Sequence, residues 1–127
     1  MKILSPRVHG YLDFVVVVLF AMAPTVFGFT GLPATVSYVL AGVHLTLTLL
    51  TAFPAGVIKL IPFTVHGALE LLVGILLVVT PWAAGFSEQS TAKIFYVAAG
   101  VLILLVFFTT DYKAAATPGS QSHAGSR

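Results

Sequence analysis

Four apolar runs, at about 6–23, 35–52, 62–80 and 91–110, occupy most of a chain of 127 residues. Each is close to the roughly 20 residues that a helix needs to cross about 30 Å of hydrocarbon. The pattern predicts an all-α polytopic membrane fold with four transmembrane helices. Composition points the same way. Hydrophobic residues make up 58% of the chain and charged ones 8%, against roughly 45–50% and about 25% in soluble domains, so a water-soluble fold would carry large bare apolar patches. Proline marks the span ends. Ser5-Pro6 reads as an N-cap followed by proline at the first helical position, and Pro62 is expected to play the same part for the third span. Pro24, Pro33, Pro54 and Pro81 are expected to mark connections, because interior proline removes a backbone bond that lipid cannot replace.

The first and third runs are related. A shift of 57 positions, from His9 to His66, also pairs Lys2 with Lys59, Gly10 with Gly67, Leu12 with Leu69, Asp13 with Glu70, Pro24 with Pro81, and Gly28-Phe29 with Gly85-Phe86. One further residue of offset aligns "YVLAGV" at Tyr38 with "YVAAGV" at Tyr96. A duplicated two-helix unit follows, with repeats at about 2–54 and 59–112 inside a membrane domain of residues 1–113. Each unit crosses twice, so the copies share one orientation, related by a pseudo-two-fold axis along the membrane normal. Equivalent residues are then expected at equal depth. Residues 114–127 are polar and rich in small residues, a composition expected to be disordered, and His123 within them reads as incidental.

Charge sets orientation and removes several function classes. Lys2, Arg7, Lys59 and Lys113 flank the N-terminus, the middle loop and the C-terminal side, while the first loop is uncharged and the third has Lys93 beside Glu88. Both termini are expected to be cytoplasmic. A cleavable leader made of "MKILSPR", the next apolar run and "AMA" is the rival reading, and the full-length counterpart of that run at the third span opposes it. The scattered basic residues form no track for a phosphate backbone, so nucleic acid is not an expected partner. The absence of cysteine excludes disulfides, thiolate metal sites and thiol catalysis.

The polar residues inside the spans carry the chemistry. His9 and Asp13 lie four apart in "VHGYLD", as do His66 and Glu70 in "VHGALE", so each pair shares a helix face. If both faces turn inward, two imidazoles meet two carboxylates, a set able to bind a divalent metal or to hold protons. The alternative is that both pairs anchor helix starts, where the dipole favours a carboxylate and interfacial water reaches an imidazole. The spacing reproduces neither HExxH nor the Glu-x-x-His of di-iron bundles. His44, expected near the middle of the second span, lies about a turn deeper and has Leu102 as its counterpart by alignment. It shares a face with Ser37, Ala41, Thr48 and Thr51. Its expected partner is Asp13 or Glu70, in a relay open to the cytoplasm, or else a threonine hydroxyl or backbone carbonyl. Ala41, Gly42, Gly74, Ala99 and Gly100 read as helix-packing positions, within the four-helix unit or between protomers.

"TPWAAGF" at Thr80–Phe86, followed by "YVAAGVLILLVFF", resembles the SPW-repeat family of small bacterial membrane proteins. "APTVFGF" at Ala23–Phe29 keeps the proline and the Gly-Phe, but has Thr25 where tryptophan is expected, and neither copy has the serine. The resemblance implies a duplicated four-helix membrane fold, hence a bacterial inner membrane, and brings no activity with it. Pro24, Gly28, Phe29, Pro81, Trp82, Gly85 and Phe86 read as the interfacial motif: proline ends the helix, tryptophan sits at the membrane–water boundary and glycine permits the turn.

No nucleophile–base pair and no phosphate loop is visible. The features fit, in order, a non-catalytic packing or interaction module or accessory subunit; a proton- or cation-handling protein built on His9, Asp13, His44, His66 and Glu70; and a redox protein with a divalent metal or haem on His9 and His66. Besides the lipid bilayer, a second copy or another membrane subunit is the expected partner, since four short helices leave little room for a pathway through one protomer.

Overall fold

The Ser5 side chain accepts a hydrogen bond from the Val8 N–H at 3.3 Å, and Pro6 follows in the first turn, so the first helix starts where its orphan donors are satisfied. In the computed structural model, which describes residues 2–113, α1 runs over Pro6–Phe27, α2 over Leu32–Leu49, α3 over Phe63–Ala83 and α4 over Ser90–Thr109. All four are long and apolar enough to cross a membrane. The C-terminal tail that the sequence marks as disordered, with His123, lies outside the described residues.

Two expectations about proline need correction. Pro24 and Pro81 do not end their helices, which run on to Phe27 and Ala83. Proline at position 24 deprives only the carbonyl of Phe20 of its partner, and the Ser37 hydroxyl of α2 donates to that carbonyl at 2.6 Å. Pro62 is the capping residue of α3 and not its first helical one. Pro33 does not separate elements either: it sits in the first turn of α2, which starts and stops slightly earlier than its apolar run. Pro54 does lie in a connection. Gly28 (φ 72) and Gly85 (φ 79) adopt the left-handed conformation that lets the chain turn back at the far ends of α1 and α3.

Past α2 the chain becomes extended. Two short strands, β1 (Thr51–Ala52) and β2 (Ile61–Pro62), pair in parallel, with the Ile61 N–H donating to Leu50 O at 2.8 Å. The same pairing recurs where the ends of the membrane domain meet: the Leu4 N–H donates to Thr109 O at 2.8 Å, and the Asp111 N–H to Leu4 O at 2.9 Å. The segment leading into each odd helix is therefore tied to the segment leaving the even helix of the other half.

Helices α1 and α2 form one hairpin, and α3 and α4 the other, with far fewer contacts between hairpins than within them. Gly74 and Gly100 bring α3 and α4 together: a Cβ at Gly100 would lie 2.7 Å from Gly74 O. An apolar core from Val16, Phe20 and Ala23 to Leu77, Phe86, Tyr96 and Ile103 fills the middle and the turn end. Large apolar side chains on every helix, among them Val15, Leu19, Val39, Leu72 and Leu105, point outward. The molecule is thus apolar on its surface, while its buried histidines and carboxylates gather at the opposite end.

Candidate metal centre

Helices α1 and α3 each bring a His and a carboxylate to the bundle interior, one turn apart on the same face. Asp13 offers Oδ1 to His9 Nε2 at 3.2 Å and Oδ2 to His66 Nε2 at 3.2 Å. Glu70 offers Oε2 to His9 Nε2 at 3.0 Å and Oε1 to His66 Nε2 at 3.3 Å. From α2, His44 Nε2 completes the group, 3.4 Å from Asp13 Oδ1 and 3.9 Å from Glu70 Oε1. His9 and His66 are 0% exposed, Asp13 2%, Glu70 3% and His44 9%. The two His–carboxylate pairs face each other inside the protein. His44 is level with the acids and not a turn deeper.

None of these contacts is an aligned hydrogen bond. Among the described residues, the Nε2 atoms of His9, His44 and His66, and Asp13 Oδ2, have no hydrogen-bond partner. The other ring nitrogens of His9 and His66 are engaged. His9 Nδ1 lies 2.8 Å from Thr110 Oγ1, and His66 Nδ1 lies 2.8 Å from Thr51 Oγ1. Each threonine hydroxyl spends its one proton on a backbone carbonyl, Val106 O at 2.6 Å for Thr110 and Leu47 O at 2.5 Å for Thr51. Each imidazole must therefore donate through Nδ1–H, which in the neutral ring leaves the Nε2 lone pair turned to the carboxylates. Thr48 donates to the backbone carbonyl of His44, so the threonine partner envisaged for that imidazole serves the main chain.

An aromatic roof closes the centre. Phe63 and Tyr112 lie edge-on to His9 with centroids at 5.1 and 5.6 Å, and Phe53 packs on His66 at 5.6 Å and stacks on Phe63 at 5.0 Å. The glycine after each histidine makes the close approach feasible. A Cβ at Gly10 would come within 2.5 Å of Ala55 Cβ, and one at Gly67 within 2.6 Å of the Tyr112 ring. The Tyr112 hydroxyl donates to Glu70 Oε2 at 3.2 Å. Burial, and then the Glu70 carboxylate, pushes its phenol above the ordinary range, so it stays a donor.

The structure brings all five candidate polar residues, His9, Asp13, His44, His66 and Glu70, into one cluster. Four of them, all except His44, can each offer a ligand atom to a single ion. A haem does not fit, because the carboxylates fill the space between the imidazoles where the macrocycle would lie. Of the packing positions, Ala41, Gly74 and Gly100 are buried and Ala99 is half-buried. Gly42 points outward, and a Cβ there would meet nothing within 4 Å among the described residues. In the interfacial motif, Phe29 and Phe86 are buried against Tyr96 and Trp82 is exposed. Sequence reasoning missed Thr110, Phe53, Phe63 and Tyr112. The signal was available: "TAF" at Thr51 and "TDY" at Thr110 match at an offset of 59.

Two hairpins of membrane length, apolar outside and with their buried ionisable residues gathered at one end, define a small multi-pass membrane protein. The SPW repeat domain matches residues 7–110, and the chain belongs to that family. No curated protein and no solved structure matches it.

Proposed function

We propose that this chain is a non-catalytic membrane module whose two helix hairpins are held together by a divalent cation bound among His9, Asp13, His44, His66 and Glu70, with the roofed end and both termini on the cytoplasmic side. The observation that carries this reading is the set of three fully buried Nε2 atoms, unpartnered, around two carboxylates. Leaving such atoms unsatisfied in an apolar interior is costly, and two uncompensated carboxylates cost more. A divalent cation answers both demands, because it gives the His9 and His66 nitrogens a partner and makes the site electrically neutral. The ligands come from α1 and α2 on one side and α3 on the other, so the ion joins the two hairpins at the polar end. A centre closed by protein ligands and a roof suits a structural ion; a catalytic one keeps a position open.

Protonation of two imidazoles would also neutralise the carboxylates and would make the site a proton store. The misaligned ring N–H directions favour the ion. Protein purified in detergent without chelator should carry stoichiometric divalent metal by elemental analysis, and Asp13→Asn with Glu70→Gln should abolish it. Metal-free protein that takes up none of zinc, manganese, iron(II), magnesium or calcium would overturn the reading and leave the proton store in its place.

A further inference from the structure

We infer that the ion is a first-row transition metal of the zinc, iron(II) or manganese(II) class bound through histidine Nε2, and that Thr51 and Thr110 are the positioning residues that set the ligating form of two histidines. This inference rests on the cation reading above and narrows it. His9 and His66 give two imidazole nitrogens beside the two carboxylates, a mixed nitrogen–oxygen set, whereas magnesium and calcium take oxygen ligands. The spacing agrees. Nitrogen–oxygen separations of 3.0–3.4 Å along five of the six contacts are those of neighbouring ligands around an ion about 2.0–2.2 Å from each.

The threonines supply an independent argument. A metal-bound histidine needs its second ring nitrogen protonated and held, and the acceptor is usually a carboxylate, a backbone carbonyl or water. In this protein the acceptor is a hydroxyl made acceptor-only by its own bond to Leu47 O or Val106 O. The device occurs twice and crosses between halves: His66 of α3 leans on Thr51 after α2, and His9 of α1 on Thr110 after α4. A histidine that merely filled a core would need no such matched pair. Thr51 and Thr110 also sit in the two parallel pairings that tie the halves together, so closure of the backbone and orientation of the ligands are one event.

Full-length protein in detergent micelles, stripped and titrated with cobalt(II), tests both parts. Bound cobalt should show the visible bands of mixed nitrogen–oxygen coordination, zinc should displace it, and magnesium or calcium in large excess should not. Thr51→Val and Thr110→Val should each weaken cobalt and zinc binding about 10–100-fold with helicity retained. Thr46→Val, whose hydroxyl bonds Gly42 O on the outer face, should leave affinity unchanged. Nitrogen-15 shifts of the zinc-loaded wild-type protein should show metal on Nε2 and a proton on Nδ1 of His9 and His66, a readout that does not depend on any variant folding. Displacement of cobalt by excess calcium or magnesium would overturn the transition-metal assignment and leave the cation reading standing. Binding of no divalent ion would overturn that reading itself. Wild-type affinity in both threonine variants, or metal on Nδ1, would remove the positioning role.

Discussion

At the scale of single residues, identical strings serve different ends. "AGV" occurs at Ala41 and at Ala99, yet Gly42 looks outward while Gly100 is pressed against Gly74 O and the Val78 backbone N. Backbone cannot give way, so Gly100→Ala should destabilise the protein by about 1–3 kcal/mol. Gly42→Ala, in open space within a helix, should be neutral or stabilising by up to about 1 kcal/mol. Thermal unfolding in detergent reads the sign of each, and a loss at Gly42 as large as that at Gly100 would contradict the packing described. Gly67→Ala belongs to the same class, since its Cβ would push into the Tyr112 ring. It should lower metal affinity as well as stability, because displacing the ring disturbs the hydroxyl on Glu70. The His–carboxylate spacing was legible from the sequence, because helical geometry alone puts i and i+4 on one face. The matched strings mark the two threonines, but their role as acceptors was not legible, since only the fold brings Thr110, 101 residues along the chain, to His9 and turns Thr51 to His66.

At the scale of elements, the coupling of α1 to α2 depends on an exchange between two residues. Pro24 withholds a donor from Phe20 O, and Ser37 supplies one. Ser37→Ala should therefore cost about 1–3 kcal/mol, the penalty of an orphaned buried carbonyl. With Pro24→Ala in the background, where the helix regains its own N–H, the same substitution should cost less than half as much. A double-mutant cycle on melting data measures the difference, and additive effects would rule the exchange out. The number, length and order of the helices were readable from the apolar runs. The helix ends were less so, because a proline in a last turn loses one bond that a neighbour can replace. The register of the second helix in each half was also misleading. String matching pairs Tyr38 with Tyr96, but Tyr38 is exposed and Tyr96 buried. An offset of 59 instead pairs buried Ser37 with Tyr96, His44 with Ile103 and Thr51 with Thr110. Leu102, the counterpart of His44 by alignment, points outward.

At the scale of the whole molecule, an ion that joins the two hairpins at the polar end makes stability follow mass action. A free metal concentration a hundredfold above Kd adds about 2.7 kcal/mol to the folded state, and the melting temperature should climb with the logarithm of added zinc. Asp13→Asn and Glu70→Gln should flatten that dependence, and each should also melt early, since removing one partner from a buried charged cluster costs about 3–5 kcal/mol. A melting temperature indifferent to zinc and to chelator would show that the hairpins hold together without the ion.

The sequence by itself determined that the chain lives in lipid, that it has four runs long enough to cross it, and that two His–carboxylate pairs recur with the same spacing, because length, apolarity and i,i+4 geometry are local properties. Only the tertiary structure decided that the two pairs face each other, that His44 joins them and that Thr51 and Thr110 hold the imidazoles. The physical reason is that these helices are apolar on the lipid side as well as on the core side. Their rotation about their own axes therefore leaves little trace in hydrophobic pattern, and is set instead by close approaches such as Gly74 to Gly100 and by the polar groups that must find partners away from lipid.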